Sequence, residues 1–323
     1  MDRRTFLSMT TASCSSMLCG GSPARAQPTG APPLTIVIPF AAGGASDLVV
    51  RTMADGLARE IGRPVVTENK GGAGGLIAAA AVGRAVPDGL TLLYGNQGQM
   101  VVARHLFPGN GSDPRAALVP LTLTARTQFF LVVPAGSKCT SVKELLMDRK
   151  GALKVGIPGI GSPPHLASVL LAERTGLAIE VIPYQGSAPL LVDLMAGRLD
   201  AAFDNVASSL AQVRAGKLCA LAVSGTARAA MAPDVPTMAE AGVVGYAYQS
   251  WQGVFAPKGL PVDIVAATVA ALHRALDEPS IRKRLTESGL EVATSPPDAF
   301  EALIARDAEE WELRVRRGLM RPA

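Results

Sequence analysis

"IPFAAGGASDLVVRTMADGLAREIG", residues 38–62, carries an apolar strand end into two glycines, then Ser46 and Asp47, then a helical pattern. Over 47–61, Leu48, Met53, Leu57 and Ile61 fall near one face, which predicts an amphipathic helix. A strand, a glycine turn and a helix start leave unpaired N–H groups and a partial positive charge at the turn. Such a junction suits an anion, and glycine lets the anion approach the backbone. A nucleotide phosphate, a carboxylate, or a turn with no ligand are all open at this point.

Outward from this stretch, short apolar runs alternate with helical ones, the signature of α/β layers with mostly parallel strands. The runs predict strands at 34–39, 65–68, 91–95, 129–133, 154–157, 180–183, 201–204 and 218–224, and further helices at 76–86, 262–276, 280–288 and 297–316. In the last helix Phe300, Leu303, Ile304, Ala308 and Trp311 recur at helical spacing, which assigns Trp311 to the core. The turn cluster PGNGSDP, 108–114, is a candidate point for the chain to leave a first lobe.

A second junction echoes the first. In "LKVGIPGIGSPPHLASVLLAERTG", 153–176, Val155 and Ile157 end a strand, Gly156, Gly159 and Gly161 make the loop, Ser162 can cap, and Pro163 suits a first helical turn. Two such junctions suggest two similar lobes, each presenting a helix start. Neither loop has the lysine of a mononucleotide P-loop or the G-x-G-x-x-G spacing of a dinucleotide fold. Asp47 would also repel a phosphate. It reads either as a first-turn or N-cap acid, or as an acceptor for loop amides or a ligand ammonium. A carboxylate fits better than a phosphate, although each loop taken singly reads as a structural turn.

The 323 residues open with Arg3-Arg4-Thr5-Phe6-Leu7, a small-residue and apolar stretch, and Ala24-Arg25-Ala26 before Gln27, which reads as a twin-arginine export signal over 1–26. Cleavage after Ala26 would remove three Arg and one Asp, lowering the net charge from +4 to about +2. That balance argues against nucleic acid, which needs a clustered basic face. Cys14 and Cys19 fall in the signal, where neither follows a good lipoprotein-type run; Cys139 and Cys219 allow one disulfide but no framework. No later stretch reaches about 18 uninterrupted apolar residues, so the exported chain is expected to be soluble. Catalysis finds little support. His105, His165 and His273 are the only histidines, and His165, three residues after Ser162, has neither a G-x-S-x-G elbow nor an obvious orienting acid. No metal or cofactor motif occurs.

At these residues the chain resembles the extracytoplasmic receptors of tripartite tricarboxylate transporters, the Bug or TctC family, over nearly all its exported length. The matching stretches are "PFAAGGASDLVVR", "TENKGGAGGLIAAAAV", "PDGLTLLYGN", "GIGSPPHLASVLL", "VIPYQGSAPLLVDLMAGRLDAAFDN", "RAGKLCALAVSGTAR", "PDVPTMAEAG" and "WQGVFAPKGLP". The resemblance implies an α/β, type II periplasmic-binding-protein fold: two Rossmann-like lobes, 34–123 plus 250–323 and 124–249, joined by a two-stranded hinge around a ligand cleft. It implies a periplasmic monomer without cofactor that binds a small organic carboxylate and works with the permease subunits of such a transporter. Carried over, the first loop contributes Phe40, Ala41, Gly43, Gly44, Ser46 and Asp47, and the second Pro158, Gly159, Gly161, Ser162 and His165. Tyr184, Gly186, Asp204 and Asn205 follow second-lobe strands and are expected to face the cleft, unless Tyr184 covers the sheet edge and Asp204-Asn205 form an Asx turn. The chain departs from the family at Ile157-Pro158, where relatives commonly place small hydroxyl residues. The departure removes donors, and a bulkier or less polar acid is one consequence. The aromatic fraction of 4% disfavours a sugar, with Trp251 as the residue able to weaken that argument. Two rival functions share these features: a sensor whose closed form is read by a signalling membrane protein, and a secreted α/β hydrolase or lyase using Ser162 and His165.

Overall fold

The computed structural model describes residues 30–110, 113–147 and 151–320. The fold lies within the compact unit Pro32–Ala323, and the expected export signal at 1–26 lies outside the described residues. The strands are β1 (Leu34–Ile38), β2 (Val65–Asn69), β3 (Thr91–Asn96), β4 (Leu118–Thr127), β5 (Phe129–Pro134), β6 (Leu153–Ile157), β7 (Ile179–Pro183), β8 (Ala201–Asn205), β9 (Leu218–Val223), β10 (Ser250–Pro257) and β11 (Leu290–Val292). The helices are α1 (Ala45–Ile61), α2 (Leu76–Gly83), α3 (Ala103–Leu106), α4 (Pro114–Ala117), α5 (Val142–Leu146), α6 (Pro163–Thr175), α7 (Ser187–Met195), α8 (Val206–Arg214), α9 (Val262–Asp277), α10 (Pro279–Glu287) and α11 (Pro297–Arg316), with a π-helical turn, Gly98–Val102, after β3.

The strands form two sheets, ordered β11-β4-β10-β3-β1-β2 and β7-β6-β8-β5-β9. In the first, β1 is parallel to β2 and β3, and β10 is antiparallel to β3 and β4. In the second, β6 is parallel to β7 and β8, and β5 is antiparallel to β8 and β9. The two patterns superpose in thought: β2-β1-β3-β10-β4 corresponds to β7-β6-β8-β5-β9. The chain crosses between sheets twice, once at Gln128 between β4 and β5 and once on the way into β10, where the Tyr248 N–H still bonds the Ser224 carbonyl at 2.6 Å. This is the two-lobe, type II-like arrangement. The turn cluster at 108–114 is not the exit from the first sheet, because β4 follows it and pairs with β10 along its length.

One apolar cluster joins Val37, Leu93 and Val101 from the first sheet's side to Phe129, Leu166 and Phe203 from the second. A second packs the other face of the first sheet under α1, α9 and α10, with Ile36, Val50, Met53, Leu57, Leu272 and Leu285. A third does the same beneath α7 and α8, with Phe130, Leu190, Leu194 and Leu210. Trp311 is buried, as its spacing predicts, and Trp251 is buried too, its Nε1–H donating to Asp307 Oδ2 at 2.7 Å. Trp251 therefore presents no face to a sugar.

The sequence pattern misses β4 and β10. Alternation of Leu with Thr in β4 looks half-solvated, yet Thr122 and Thr124 are fully buried. Thr122 Oγ1 donates to the Ser295 carbonyl and Thr124 Oγ1 to the Gln252 carbonyl, so loop and strand partners take the place of water. All eight residues of β10 are buried, which erases its period altogether. Cys139 and Cys219 are both free thiols.

Candidate functional site

The first loop is built around Asp47. Its buried carboxylate accepts from the Gly43 N–H at 2.9 Å, Arg51 Nε at 3.0 Å and Asn69 Nδ2 at 3.0 Å, while Asn69 Nδ2 also donates to the Phe40 carbonyl at 3.0 Å. Burial pushes the Asp47 carboxyl up, but the bonds from Arg51, Gly43 and Asn69 outweigh it and hold it below the usual range. Asp47 fulfils both readings, as a first-turn acid of α1 and as the acceptor of a loop amide. It pins the glycine turn, where Gly43 adopts φ +84°, a conformation costly for residues with a Cβ. Ala41, Gly43 and Gly44 are exposed. Ser46 donates its hydroxyl proton to Gln252 Oε1 at 3.0 Å, tying the start of α1 to hinge strand β10. Gly44, the N-cap of α1, supplies no side-chain cap.

The second loop is self-contained. The Gly161 N–H donates to His165 Nδ1 at 3.1 Å and the Ser162 N–H to the Gly159 carbonyl at 3.2 Å. Ser162 Oγ donates to that same carbonyl at 2.6 Å and accepts from the His165 N–H at 3.4 Å. The Gly186 N–H reaches back to the Pro158 carbonyl at 3.1 Å. Burial pushes the His165 pKa down to about 4, so the ring is neutral, and the Gly161 contact assigns its proton to Nε2. Since Ser162 Oγ points its proton at a carbonyl and His165 Nδ1 takes a backbone proton, the two do not form a nucleophile–base pair.

The remaining expected residues lie at the exits of β7 and β8. Tyr184 sits beyond the edge strand β7, and its hydroxyl donates to Asp193 Oδ2 at 2.9 Å on α7. Asp204 is fully buried beneath the exit of β8, accepting from Ser187 Oγ at 2.5 Å and Ser209 Oγ at 2.6 Å. Burial pushes its pKa up to about 6, against the two hydroxyls and the Asn205 backbone, which pull it down. Its side chain is thus enclosed between α7 and α8. Asn205 is the N-cap of α8 and makes no side-chain cap bond.

Correspondence between sheets decides which loops meet. A Cβ placed on Gly98, at the exit of β3, would lie 2.0 Å from the Gly161 carbonyl oxygen, so the β3 exit abuts the β6 loop backbone to backbone. The same correspondence, β1 to β6 and β3 to β8, sets the β1 loop opposite the β8 exit. A cavity of about 70 Å³ lies there, lined by Gly43, Gly44, Ala45 and Leu48 on one side and by Asn205, Val206, Ala207 and Ser208 on the other, with Thr127 and Ser288–Leu290 closing it. The starts of α1 and α8 border this one cavity, while the β6 loop abuts the β3 exit. A larger cavity, about 320 Å³, lies among Met100, Leu118, Phe255 and Ile304 and includes none of the expected site residues.

Sequence reading passes over Val206, Ala207, Ser208, Thr127, Gly289 and Gly98. One signal was present: Asn205 directly before a helical run is an N-cap signature. Gly289 carries no local signal, since it reaches the cavity only through the packing of the α10–β11 turn against α8, where a Cβ would meet the Ala207 nitrogen at 3.5 Å.

Two α/β lobes, a double crossover and facing strand exits around a small cavity define a two-lobe solute-binding protein. The chain belongs to the tripartite tricarboxylate transporter receptor family, the Bug or TctC group: the profile described as "Tripartite tricarboxylate transporter family receptor" matches residues 49–317. Among solved structures it is similar to the periplasmic binding protein BugD, with 33% identity, TM-score 0.79 and coverage of 90% of this chain and 98% of that one. It is also similar to Rpa4515 of R. palustris, solved with adipate, with 32% identity, TM-score 0.82 and coverage of 91% and 99%. MatC of Rhodopseudomonas palustris, solved with bound malate, shares 32% identity and TM-score 0.78 over 88% and 98%.

Proposed function

We propose that this protein is a non-catalytic periplasmic receptor that closes its lobes on the carboxylate of a small organic acid and presents the closed form to the permease subunits of a tripartite tricarboxylate-type transporter. One observation carries the reading: α1 and α8 both begin without a side-chain cap, and both starts border one cavity whose lining has no charged side chain. Two partial positive charges and a set of backbone donors grip a carboxylate without a fixed cation, and such a grip is releasable. Ligand contacts to both lobes exist only when they are together, so binding shifts the population toward closure about the crossovers at 128 and 249. The relatives solved with adipate and malate support the ligand class. Arg3-Arg4 supports export by the twin-arginine route.

Calorimetry on the full chain with a panel of organic acids, amino acids, sugars and nucleotides tests the reading. A carboxylate is expected to bind with a fall in radius of gyration by X-ray scattering. Binding of a sugar or nucleotide, with every carboxylate inert, overturns it.

A further inference from the structure

Resting on the reading just given, we infer that Tyr248 and Gln97 are positioning residues for lobe closure: the Tyr248 hydroxyl, carried by the second crossover, holds Gln97 and thereby sets the β3 exit where it meets the β6 loop.

Tyr248 is fastened to both lobes. Its N–H bonds the carbonyl of Ser224, just past β9, at 2.6 Å, and its own carbonyl accepts from Ser224 Oγ at 2.8 Å. That hydroxyl oxygen also accepts from the Phe129 N–H at 3.0 Å, so one serine ties the two crossovers together. The Tyr248 ring stacks on Phe129 with centroids 5.9 Å apart and makes a T-shaped contact with Trp311 of α11 at 6.2 Å. Beyond the ring, its hydroxyl donates to Gln97 Oε1 at 2.8 Å.

Gln97 stands between β3 and the π-helical turn and is buried. Its amide is used at both ends, because Nε2 donates to Asp307 Oδ2 at 2.6 Å, the oxygen that also takes the Trp251 indole proton at 2.7 Å. A carboxylate oxygen accepts, so the amide has one orientation, with its oxygen toward Tyr248. An apolar side chain at 97 would fill the same space without polar groups to satisfy; a buried polar chain instead fixes one arrangement of the elements it joins, here the second crossover, the β3 exit, α11 and β10.

What it fixes is the face that the first lobe turns to the second. Gly98 lies against the Gly161 carbonyl, a Cβ on Gly161 would meet Leu106 Cδ1 at 3.2 Å, and Val101, Val102 and Leu106 share one buried cluster with Leu166 and Leu170 of α6. Opposite this face, Gly159 and Ile160 of the β6 loop keep N–H groups with no internal partner among the described residues. Loss of the Tyr248 hydroxyl leaves Gln97 Oε1 buried and unpaired, which loosens the tie while the surrounding rings stay packed.

The test is hydrogen exchange on the full chain without ligand, read residue by residue by NMR. The reporters are the amides of Gln99 and Ala103 in and after the π-helical turn, bonded to Asn96 Oδ1 and the Gly98 carbonyl, and those of Gly161 and Ser162 in the β6 loop. In Tyr248→Phe all four are expected to exchange roughly fivefold faster or more, with the amides of α9 unchanged. Gln97→Met, which keeps the side chain's length but neither polar end, is expected to do the same. Tyr246→Phe is the control, since it removes a buried hydroxyl that donates to the Ala167 carbonyl at 3.0 Å within the second lobe, and it should leave Gln99 and Ala103 at wild-type rates. In a Gly98→Ala background, Tyr248→Phe should add no more than about 1.5-fold at Gly161 and Ser162, because the contact through which it acts is already parted. Wild-type exchange at the four amides in either folded variant, an equal rise in Tyr246→Phe, or a full effect in the Gly98→Ala background overturns the inference. No ligand is needed, so its failure leaves the carboxylate reading standing, and the calorimetry that tests that reading succeeds or fails separately.

Discussion

Replacing Gly98 by Ala is a direct probe of how the lobes come together. The added Cβ would stand 2.0 Å from the Gly161 carbonyl oxygen, whereas close C···O contacts lie at about 3.3–3.6 Å. The obstructing atom is backbone, so no rotamer change relieves it, and the two loops must part by more than about 1 Å. Gly98 does not have a positive φ, so alanine brings no conformational penalty of its own. The cost, about 1–3 kcal/mol for overpacking, falls on the closed form and spares an open one. Converted to affinity, this is a loss of roughly 5–150-fold for the carboxylate found to bind the wild type. Calorimetry gives the affinity, small-angle scattering the compaction on saturation, and urea unfolding checks that the fold survives. Gly98→Ala binding with wild-type affinity and collapsing to the wild-type radius would refute the claim that the β3 exit and β6 loop meet on closure.

Three further outcomes follow from buried groups. The Asp204 carboxyl rises from 3.8 to about 6 on folding, so its ionisation costs the native state roughly 3 kcal/mol as pH climbs through that window; Asp204→Asn should lose stability relative to wild type on acidification from pH 7 to 4, read from urea midpoints. His165 behaves oppositely: its pKa falls from 6.5 to about 4, so the stability it contributes is present above pH 6.5 and lost as pH drops toward 4, and His165→Gln should gain on the wild type by roughly 3 kcal/mol across that range. In the wild type the two slopes nearly cancel between pH 4 and 6, which only the single variants reveal. Asp307→Ala removes the shared acceptor of Gln97 Nε2 at 2.6 Å and Trp251 Nε1 at 2.7 Å; leaving both donors buried and unpaired should cost about 2–5 kcal/mol in urea unfolding, and a loss under 1 kcal/mol would show that neither bond matters to the hinge.

What could be read from the chain was local chemistry. Glycines followed by a capping residue and a periodic apolar helix mark strand–turn–helix junctions because backbone sterics and unpaired N–H groups act within a few residues. The turn at Gly43-Gly44, the cap at Ser162, the buried face of Met53 and Leu57, and the place of Trp311 in the core were legible for that reason. Strand β10 was not, since burial on both faces removes the alternation that marks a strand, and the alternating Leu and Thr of β4 gave no sign that its threonines are buried against partners as distant as Ser295 and Gln252.

The pairing of loops belonged to the tertiary structure alone. Two similar motifs in sequence do not say which elements they meet: the relation that maps β1 onto β6 and β3 onto β8 brings the α8 start to the cavity beside the β1 loop and the β3 exit against the β6 loop. Whether an N–H is free is likewise settled in space: the Gly43 amide goes to Asp47 and the Gly161 amide to His165, four residues on in each case. Sequence determined where strands run through glycine turns into helices, because those features are written in short-range propensities. Folding decided which amides are engaged and which stay free, because donors find partners only when the elements are packed.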